Sequence, residues 1–303
     1  MIKRLASLLT RTTVCAIAQL VVGCVALSGS AHATSPCFTV FDATVYSRKP
    51  DMRPFGVEPV TLFDVLRWWA PGESHDELTR STAPEAWVRA QPNHARPLVL
   101  DLEAWPTRGD PALIGATMDR LKAIVVRLKR AGYSGAIGYY GLPPNRDYWR
   151  ATKAPTSPEY RAWQRENDML APIVENVDAI YPSLYTFYDG VAGWKAYAVA
   201  NLTEARRLSA GKPVYAFLWP QYHNSNPKLS GQFLPADYWK AQLETASQYA
   251  DGVVIWGGWG DGAPLPWNDN APWWTVTKAF VGDLSVHCKN NLDPMPPTDV
   301  VVQ

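Results

Sequence analysis

Short apolar runs alternate with longer amphipathic segments along most of the chain. The short runs are rich in β-branched and aromatic residues, and most are bounded by Gly or Pro, which is typical of buried strands. The longer segments repeat their apolar residues at helical spacing. The predicted strands are 37–42, 97–103, 136–140, 179–185, 214–219 and 252–257, with a weaker one at 60–62, and the predicted helices are 111–131, 157–176, 191–208 and 235–249.

This alternation of strands and helices favours a parallel sheet with helices packed outside it. No Gly-rich phosphate loop follows the first strand, which argues against a doubly wound sheet. We therefore expect an α/β fold, a distorted or incomplete (β/α) TIM-type barrel with about seven parallel strands. Residues 34–289 would form this single domain, with loops and short helices at 48–93, and the Pro-rich end at 290–303 would be a loose tail.

Residues 1–33 have the three parts of an export signal: a basic start, an apolar stretch and an Ala-x-Ala site that ends at Ala33. We expect cleavage after Ala33 and a secreted or periplasmic bacterial protein. The residues around Cys24 loosely resemble a lipobox, so a lipidated Cys24 that anchors the protein is the open alternative. The basic residues of the signal are Lys3, Arg4 and Arg11.

Removing 33 of the 303 residues leaves 270, a length typical of one (β/α) barrel. The mature chain keeps 26 of the 29 Lys and Arg residues and all 28 Asp and Glu residues, giving a net charge of −2. This charge does not favour binding to nucleic acid or to an anionic membrane. The five His residues are scattered, so we assign no metal and no cofactor, and we expect a monomer.

Two cysteines remain after cleavage, Cys37 and Cys288, close to the two ends of the mature chain. In an oxidising compartment this pair predicts one disulfide between the first strand and the last helix. Two free buried thiols are the alternative.

Asp101 and Glu103 end an apolar run that starts at Pro97. Side chains of a strand alternate between faces, so the two carboxylates point the same way. In a (β/α) barrel, catalytic groups lie at the carboxyl ends of the strands. Two carboxyls there match the needs of glycoside hydrolysis, with one as proton donor and one to position or stabilise. An ion pair or a helix cap at the end of the strand is the structural alternative.

Aromatic residues end several other predicted strands. Flat aromatic faces pack on sugar rings, and Tyr and Trp tips hydrogen-bond sugar hydroxyls, so this recurrence predicts a glycan-binding mouth. Asp42 ends the first strand and could act as a more distant second carboxylate. By contrast, we expect Trp163, Trp194 and Trp239 to pack the helices on the barrel. The candidate substrate-binding residues are Tyr139, Tyr140, Trp219, Trp256 and Asp42.

The order of these pieces resembles the hyaluronidase family of glycoside hydrolases. The similar segments are colinear and cover roughly 97–260 of this chain. They are Asp-x-Glu at 101–103, Gly-Tyr-Tyr-Gly-x-Pro at 138–143, Asn-Asp-x-Leu at 167–170, Tyr-Pro-Ser-x-Tyr at 181–185, Glu-Ala-x-Arg at 204–207 and Val-Ile-Trp-Gly at 254–257.

The resemblance implies a distorted barrel that cleaves β-linked N-acetylhexosamine polymers with retention. Glu103 would be the general acid/base, and Asp101 would hold the substrate acetamido N–H while the sugar's own carbonyl oxygen attacks the anomeric carbon. Tyr185 would donate to the acetamido oxygen, Tyr140 would position the ring, and Trp256 would form the pocket wall. The cysteine pair also resembles the family's bridge between the chain ends.

The chain departs from the family pattern at three points. It has Pro144-Asn145 where the family has Asp-Cys, Ala104-Trp105 follows the carboxylates, and no basic cluster lines up to bind glucuronate. Hyaluronan and a neutral N-acetylated polymer therefore both stay open as substrates. Two further readings are a non-catalytic glycan-binding protein on a hydrolase-like barrel and a muramidase-type hydrolase of another barrel family.

Overall fold

A computed structural model describes residues 37–69, 82–260 and 262–292, with the side chains of residues 66 and 285–292 excepted. The described residues belong to one compact unit. The predicted export signal, Cys24 and the chain from residue 293 onward lie outside this description, so the expectations placed on them stay predictions. Within the described part, no helix is both long enough and apolar enough to cross a membrane.

The described residues contain seven parallel strands, β1 (Thr39–Asp42), β2 (Val57–Pro59), β3 (Thr61–Asp64), β4 (Leu98–Asp101), β5 (Ile137–Tyr139), β6 (Tyr215–Leu218) and β7 (Gly252–Ile255). They form two sheets, the first with the order β2-β1-β7-β6 and the second with the order β3-β4-β5. Most strands are shorter than the apolar runs of the sequence, because the residues at the ends of those runs belong to loops.

The two sheets meet at two junctions. At one, Val60 separates β2, which pairs with β1, from β3, which pairs with β4. At the other, the segment 180–186 makes isolated parallel bridges to Tyr140 on one side and to β6 on the other. If β2 and β3 are counted as one position and the segment 180–186 as another, hydrogen-bonded neighbours follow one another around seven positions. The expected distorted, incomplete (β/α) barrel with about seven parallel strands is confirmed.

The predicted strand at 179–185 is wrong in one respect, because this segment forms bridges but no regular strand. Pro182 lacks the N–H group that a central strand would donate. The neighbouring backbone nevertheless approaches closely: a Cβ on Gly138 would lie 2.3 Å from the carbonyl oxygen of Ala179. Only glycine at position 138 lets β5 pack this tightly against the segment.

Six helices cover the described part of the barrel. The predicted helix at 157–176 is divided into α3 (Pro158–Asp168) and a short 3₁₀ helix, Ala171–Glu175. Pro172 cannot donate the hydrogen bond that would continue α3. The last helix extends to Leu292, three residues into the predicted tail. The helices are α1 (Ala83–Ala90), α2 (Pro111–Arg130), α3 (Pro158–Asp168), α4 (Val191–Leu208), α5 (Ala236–Tyr249) and α6 (Pro272–Leu292).

Large aromatic side chains fill the layer between strands and helices. Trp163, Trp194 and Trp239 are fully buried there, as the sequence predicts. Each indole N–H has an acceptor, namely the carbonyls of Asn145 and Leu184 and the hydroxyl of Thr277, at 2.8, 3.0 and 2.9 Å. A second apolar cluster joins residues of several strands, and Phe41, Val99, Phe217 and Val254 belong to it. These contacts fix the strand ends that carry the site.

Candidate active site

Asp101 is the last residue of β4, and Glu103 follows two residues later. Both line a cavity of about 380 Å³ at the carboxyl ends of the strands, called here the central cavity. Asp101 is partly buried, whereas Glu103 is exposed. The remaining lining includes Tyr140, Tyr185, His223 and Trp256. Five parts of the chain thus bring two carboxylates, two phenols, an imidazole and an indole face together.

The carboxyl group of Asp101 keeps its proton to unusually high pH. Burial is the largest cause and raises its pKa from 3.8 to about 7, and the negative charges of Glu103 and Asp64 add to the effect. Asp64 ends β3 and pairs in register with Asp101. Sequence analysis missed Asp64, because the weak strand was predicted to end at Leu62.

Tyr140 and Tyr185 supply hydroxyl donors on the wall of the central cavity. Burial raises the pKa of Tyr140 to about 12 and that of Tyr185 well above 10, so both phenols stay protonated. The charges of Asp101 and Glu103 contribute to the shift at Tyr185, which places this hydroxyl in the field of the carboxylates. Tyr140 also shares a hydrogen bond of 2.9 Å with the Ser183 hydroxyl.

Trp256 forms an aromatic wall next to Tyr185, with ring centroids 5.8 Å apart and planes at 28°. Trp219 was predicted to bind substrate, and its position in the structure corrects this prediction. It is buried, contacts Trp256 by its edge at 4.8 Å and donates its N–H to Gln221 at 2.9 Å. Trp219 therefore supports the wall from behind and does not line the described cavities.

Tyr139 also needs correction as a substrate-binding residue. Its side chain is buried, and its hydroxyl donates to the carbonyl of Leu121 in α2 at 2.9 Å. Neighbouring strand residues point to opposite faces, so Tyr140 faces the cavity while Tyr139 faces the helices. Tyr139 is a packing residue.

Asp42 lies at the end of β1 but outside the central cavity. One carboxylate oxygen accepts hydrogen bonds from the N–H and hydroxyl of Thr44, at 2.9 and 2.6 Å. The other oxygen forms an ion pair with Lys49. Both oxygens hold the loop after β1, so the geometry does not offer Asp42 as a free second carboxylate for Glu103.

Two arginines lie near Glu103, and this corrects the expectation that no basic cluster is present. Arg108 and Arg146 line an adjoining cavity of about 220 Å³ together with Glu103. Arg146 donates to Ser183 at 3.2 Å and lies 4.7 Å above the ring of Phe187. Neither arginine is in an ion pair with any residue that the structure describes.

The sequence alone could not predict that these two arginines meet, because they come from different loops. Arg108 follows β4, Arg146 follows β5, and Arg108 donates to the carbonyl of Arg146. His223 was likewise set aside as a scattered residue but lines the central cavity. Its pKa is lowered by burial and by the charge of Arg146, so its ring is neutral near pH 7.

A third cavity of about 650 Å³ adjoins the central one on the other side. The two share Leu62, Asp101 and Trp256, while the central and arginine-lined cavities share Glu103, Tyr140 and Arg146. The three cavities therefore follow one another as a groove with the carboxylates in its middle. Within the described part, no three His, Cys, Asp or Glu residues could hold a metal ion.

Cys37 is disulfide-bonded. The side chain of Cys288 lies outside the described residues, so its pairing with Cys37 stays a prediction.

No protein-family model matches the chain, and no curated protein matches it either. Among solved structures it is similar to bee venom hyaluronidase, with a TM-score of 0.55 and 14% identity over 84% of this chain and 97% of that chain. The same enzyme in complex with a hyaluronic acid tetramer gives a TM-score of 0.53 and 14% identity, with 84% and 96% covered. An endo-1,4-β-D-mannanase from Thermotoga petrophila gives 0.48 and 14%, with 76% of each chain covered.

The similarity to the two hyaluronidase structures shows the fold, a (β/α) barrel. The groove lies at the carboxyl ends of the strands, where barrels of this kind carry their active sites.

Proposed function

We propose that the protein is a secreted retaining glycoside hydrolase that cleaves N-acetylhexosamine-containing polysaccharide by substrate-assisted acid/base catalysis. The observation that carries the proposal is the carboxyl pair in the central cavity. One member, Asp101, retains its proton near neutrality, and Tyr140, Tyr185 and Trp256 complete the lining. Binding alone does not require two carboxyls of this kind.

In this proposal, Glu103 acts on the glycosidic oxygen. It lines both the central cavity and the arginine-lined cavity, so two successive sugars that occupy these cavities would be joined beside it. The carboxyl would protonate the leaving oxygen and afterwards accept a proton from the attacking water. The pair of carboxyls would hold and exchange one proton in this cycle.

In this proposal, Asp101 acts on the acetamido group. When the shared proton lies on Glu103, the Asp101 carboxylate would accept a hydrogen bond from the acetamido N–H and stabilise the positive charge that develops there. The carbonyl oxygen of the same sugar would attack the anomeric carbon, and water would then open the cyclic intermediate with net retention. Tyr185, whose phenol stays protonated, would donate to the acetamido oxygen. Trp256 offers an apolar face to the sugar ring.

The arginines support an anionic polymer as substrate. Arg108 and Arg146 could bind a glucuronate carboxylate on the side of Glu103, since guanidinium groups suit bidentate carboxylate recognition. A neutral N-acetylated polymer is the competing substrate, and the experiment below separates the two.

The test is release of reducing ends by residues 34–303 from hyaluronan, chondroitin, chitin oligomers and peptidoglycan, with deacetylated polymers as controls. Glu103→Gln is compared with Glu58→Gln, which changes an exposed carboxylate of β2 outside the cavities. We expect release from N-acetylated polymers only, lost in Glu103→Gln and kept in Glu58→Gln.

Other results would point elsewhere. Binding without release in both proteins would favour a non-catalytic glycan-binding protein, and release from peptidoglycan alone would favour a muramidase-type hydrolase. Secretion is part of the proposal and has its own test, the mass of the mature N-terminus. A lipidated Cys24 there would replace the soluble form by an anchored one.

A further inference from the structure

Trp259 is a large apolar side chain that the fold leaves 48% exposed. A single exposed apolar residue carries little meaning by itself. Trp259, however, lines the third cavity, which shares Asp101 and Trp256 with the central cavity. Val45 lines the same cavity and is 41% exposed. The exposed indole therefore lies along the groove that carries the carboxylates.

Backbone contacts of Trp259 and of Gly258 hold this part of the chain in place. Trp259 and Pro264 form an antiparallel bridge, and the N–H of Leu265 donates to the carbonyl of Gly258 at 2.7 Å. Gly258 has a φ of 87°, and a Cβ there would lie 2.7 Å from the backbone nitrogen of Tyr46. The indole ring is therefore attached to a backbone that is already ordered, so less conformational entropy is lost when a ligand binds to it.

The rest of this cavity is polar and charged. Lys49 forms an ion pair with Asp42. Asp64 lies beside Asp101, which this cavity shares with the central cavity. A sugar ring has apolar C–H faces and a rim of hydroxyls, so it matches an aromatic face surrounded by hydrogen-bonding groups. Trp259 does not line the central cavity, so a sugar on it would be a different unit from the one beside Asp101.

We propose that Trp259 is a stacking platform for a sugar of the polymer outside the cleaved linkage, and that it makes the protein select for chain length. The inference rests on the proposed function, because it takes the groove to hold a glycan chain. A chain long enough to reach Trp259 gains this contact, whereas a short oligomer that fills only the central cavity does not. Trp259 is a positioning residue and takes no part in the chemistry.

The test uses Trp259→Ala, the conservative Trp259→Phe, and Trp149→Ala as matched control. Trp149 is 57% exposed and lines none of the described cavities. KM and kcat are measured on hyaluronan and chitin oligomers of increasing length. We expect Trp259→Ala to raise KM about tenfold for long oligomers, with kcat and the KM for the shortest oligomers unchanged. Trp259→Phe should keep most of the affinity, and Trp149→Ala should match the unmodified protein.

Binding is measured separately in a Glu103→Gln background, by affinity electrophoresis in gels that contain each polymer. Length-dependent binding that Trp259→Ala weakens would support the platform even if the protein hydrolysed nothing, and only the proposed activity would then fail. The platform is refuted if Trp259→Ala leaves KM and retardation unchanged at every length, or if no polymer is bound at all.

Discussion

Asp64 and Asp101 are register partners at the ends of the adjacent parallel strands β3 and β4. Asp101 is partly buried, whereas Asp64 is exposed, with Arg67 4.0 Å away. The charges of Asp64 and Glu103 add to burial in raising the pKa of Asp101 to about 7. Three carboxyls thus share one edge of the barrel, and the most buried of them retains a proton near neutrality.

This raised pKa predicts that stability falls as the pH rises. In the unfolded chain Asp101 releases its proton near its ordinary pKa of 3.8, whereas in the folded protein it keeps the proton up to about 7. Between these values the folded state binds more protons, so the free energy of unfolding decreases with pH across this window. We expect the unmodified protein to lose about 1–3 kcal/mol more than Asp101→Asn between about pH 5 and about pH 8. Urea unfolding at the two pH values measures this difference.

Two further variants sharpen that experiment. Asp64→Asn removes one of the repelling charges, so the pKa of Asp101 should fall and the pH dependence of stability should become shallower. Asp119→Asn removes an exposed carboxylate of α2 and should leave the pH dependence as it is. Parallel curves for the unmodified protein and Asp101→Asn would contradict a proton held by Asp101 in the folded state.

Tyr185 and Tyr139 predict opposite phenotypes for the same chemical change. Tyr185→Phe keeps the ring beside Trp256 but removes the proposed donor for the acetamido oxygen, so kcat should fall about 10²–10³-fold with little change in stability. Tyr139→Phe removes only the hydrogen bond to Leu121, so stability should fall by about 1 kcal/mol with kcat unchanged. Steady-state kinetics and thermal unfolding of both variants test the pair. A Tyr185→Phe variant with unchanged kcat would show that this phenol takes no part in the reaction.

Arg108 and Arg146 predict a dependence on substrate charge. The double change Arg108→Gln and Arg146→Gln should raise KM for glucuronate-containing polymers about 10–100-fold, because a charge-assisted hydrogen bond contributes about 1.5–3 kcal/mol. The KM for chitin oligomers should change little. Kinetics at low and high salt give a second readout, since the preference should weaken as salt screens it.

Arg130→Gln is the matched control, because Arg130 is exposed at the end of α2 and lines none of the described cavities. Equal changes in KM for charged and neutral polymers would show that the arginines act on the shape of the groove and not on substrate charge.

Local pattern was enough to predict much of the barrel. The apolar spacing of 191–208 predicts α4 with its observed bounds, Val191–Leu208. The predicted strand at 179–185 was harder, because an apolar, aromatic segment resembles a strand although Pro182 interrupts its ladder. Successive residues of a strand point to opposite faces, so Tyr139 and Tyr140 could not both face the cavity. Applying this rule would have separated the packing residue, Tyr139, from the cavity residue, Tyr140.

Site residues that belong to one strand end could be predicted from the sequence, whereas those brought together by different loops could not. Asp101 and Glu103 stand together in the sequence, so their shared cavity follows from a single strand end. Arg108 and Arg146 are 38 residues apart and meet only because two loops fold toward each other. The pKa of Asp101 was also beyond the sequence, because burial, its main cause, is set by the whole barrel mouth.

Asn145 connects the two loops that carry these arginines. It stands where the resembled family has a Cys, and its side chain makes two hydrogen bonds to Thr107: it donates to the backbone carbonyl at 2.7 Å and accepts from the hydroxyl at 2.8 Å. Its backbone N–H donates to Asn167 at 3.0 Å, and Asn167 donates to Glu204 at 3.1 Å. Glu204 is 1% exposed and paired with Arg207. The Glu-Ala-x-Arg segment therefore supports the loops of the site from within the helix layer.

This network predicts that Asn145→Ala affects both stability and substrate affinity. The change removes both side-chain bonds to Thr107 in a buried setting, so the free energy of unfolding should fall by about 2–4 kcal/mol. The loops with Arg108 and Arg146 would lose their common anchor, so KM should rise even at temperatures where the variant is fully folded. Asn145→Asp keeps the acceptor for the Thr107 hydroxyl but turns a carboxylate oxygen toward the Thr107 carbonyl in a buried position, so it should destabilise at least as much as Asn145→Ala. Asn93→Ala, at an exposed turn, is the control. Urea unfolding and kinetics on the same preparations test the link, and a destabilised Asn145→Ala with unchanged KM would limit Asn145 to a structural role.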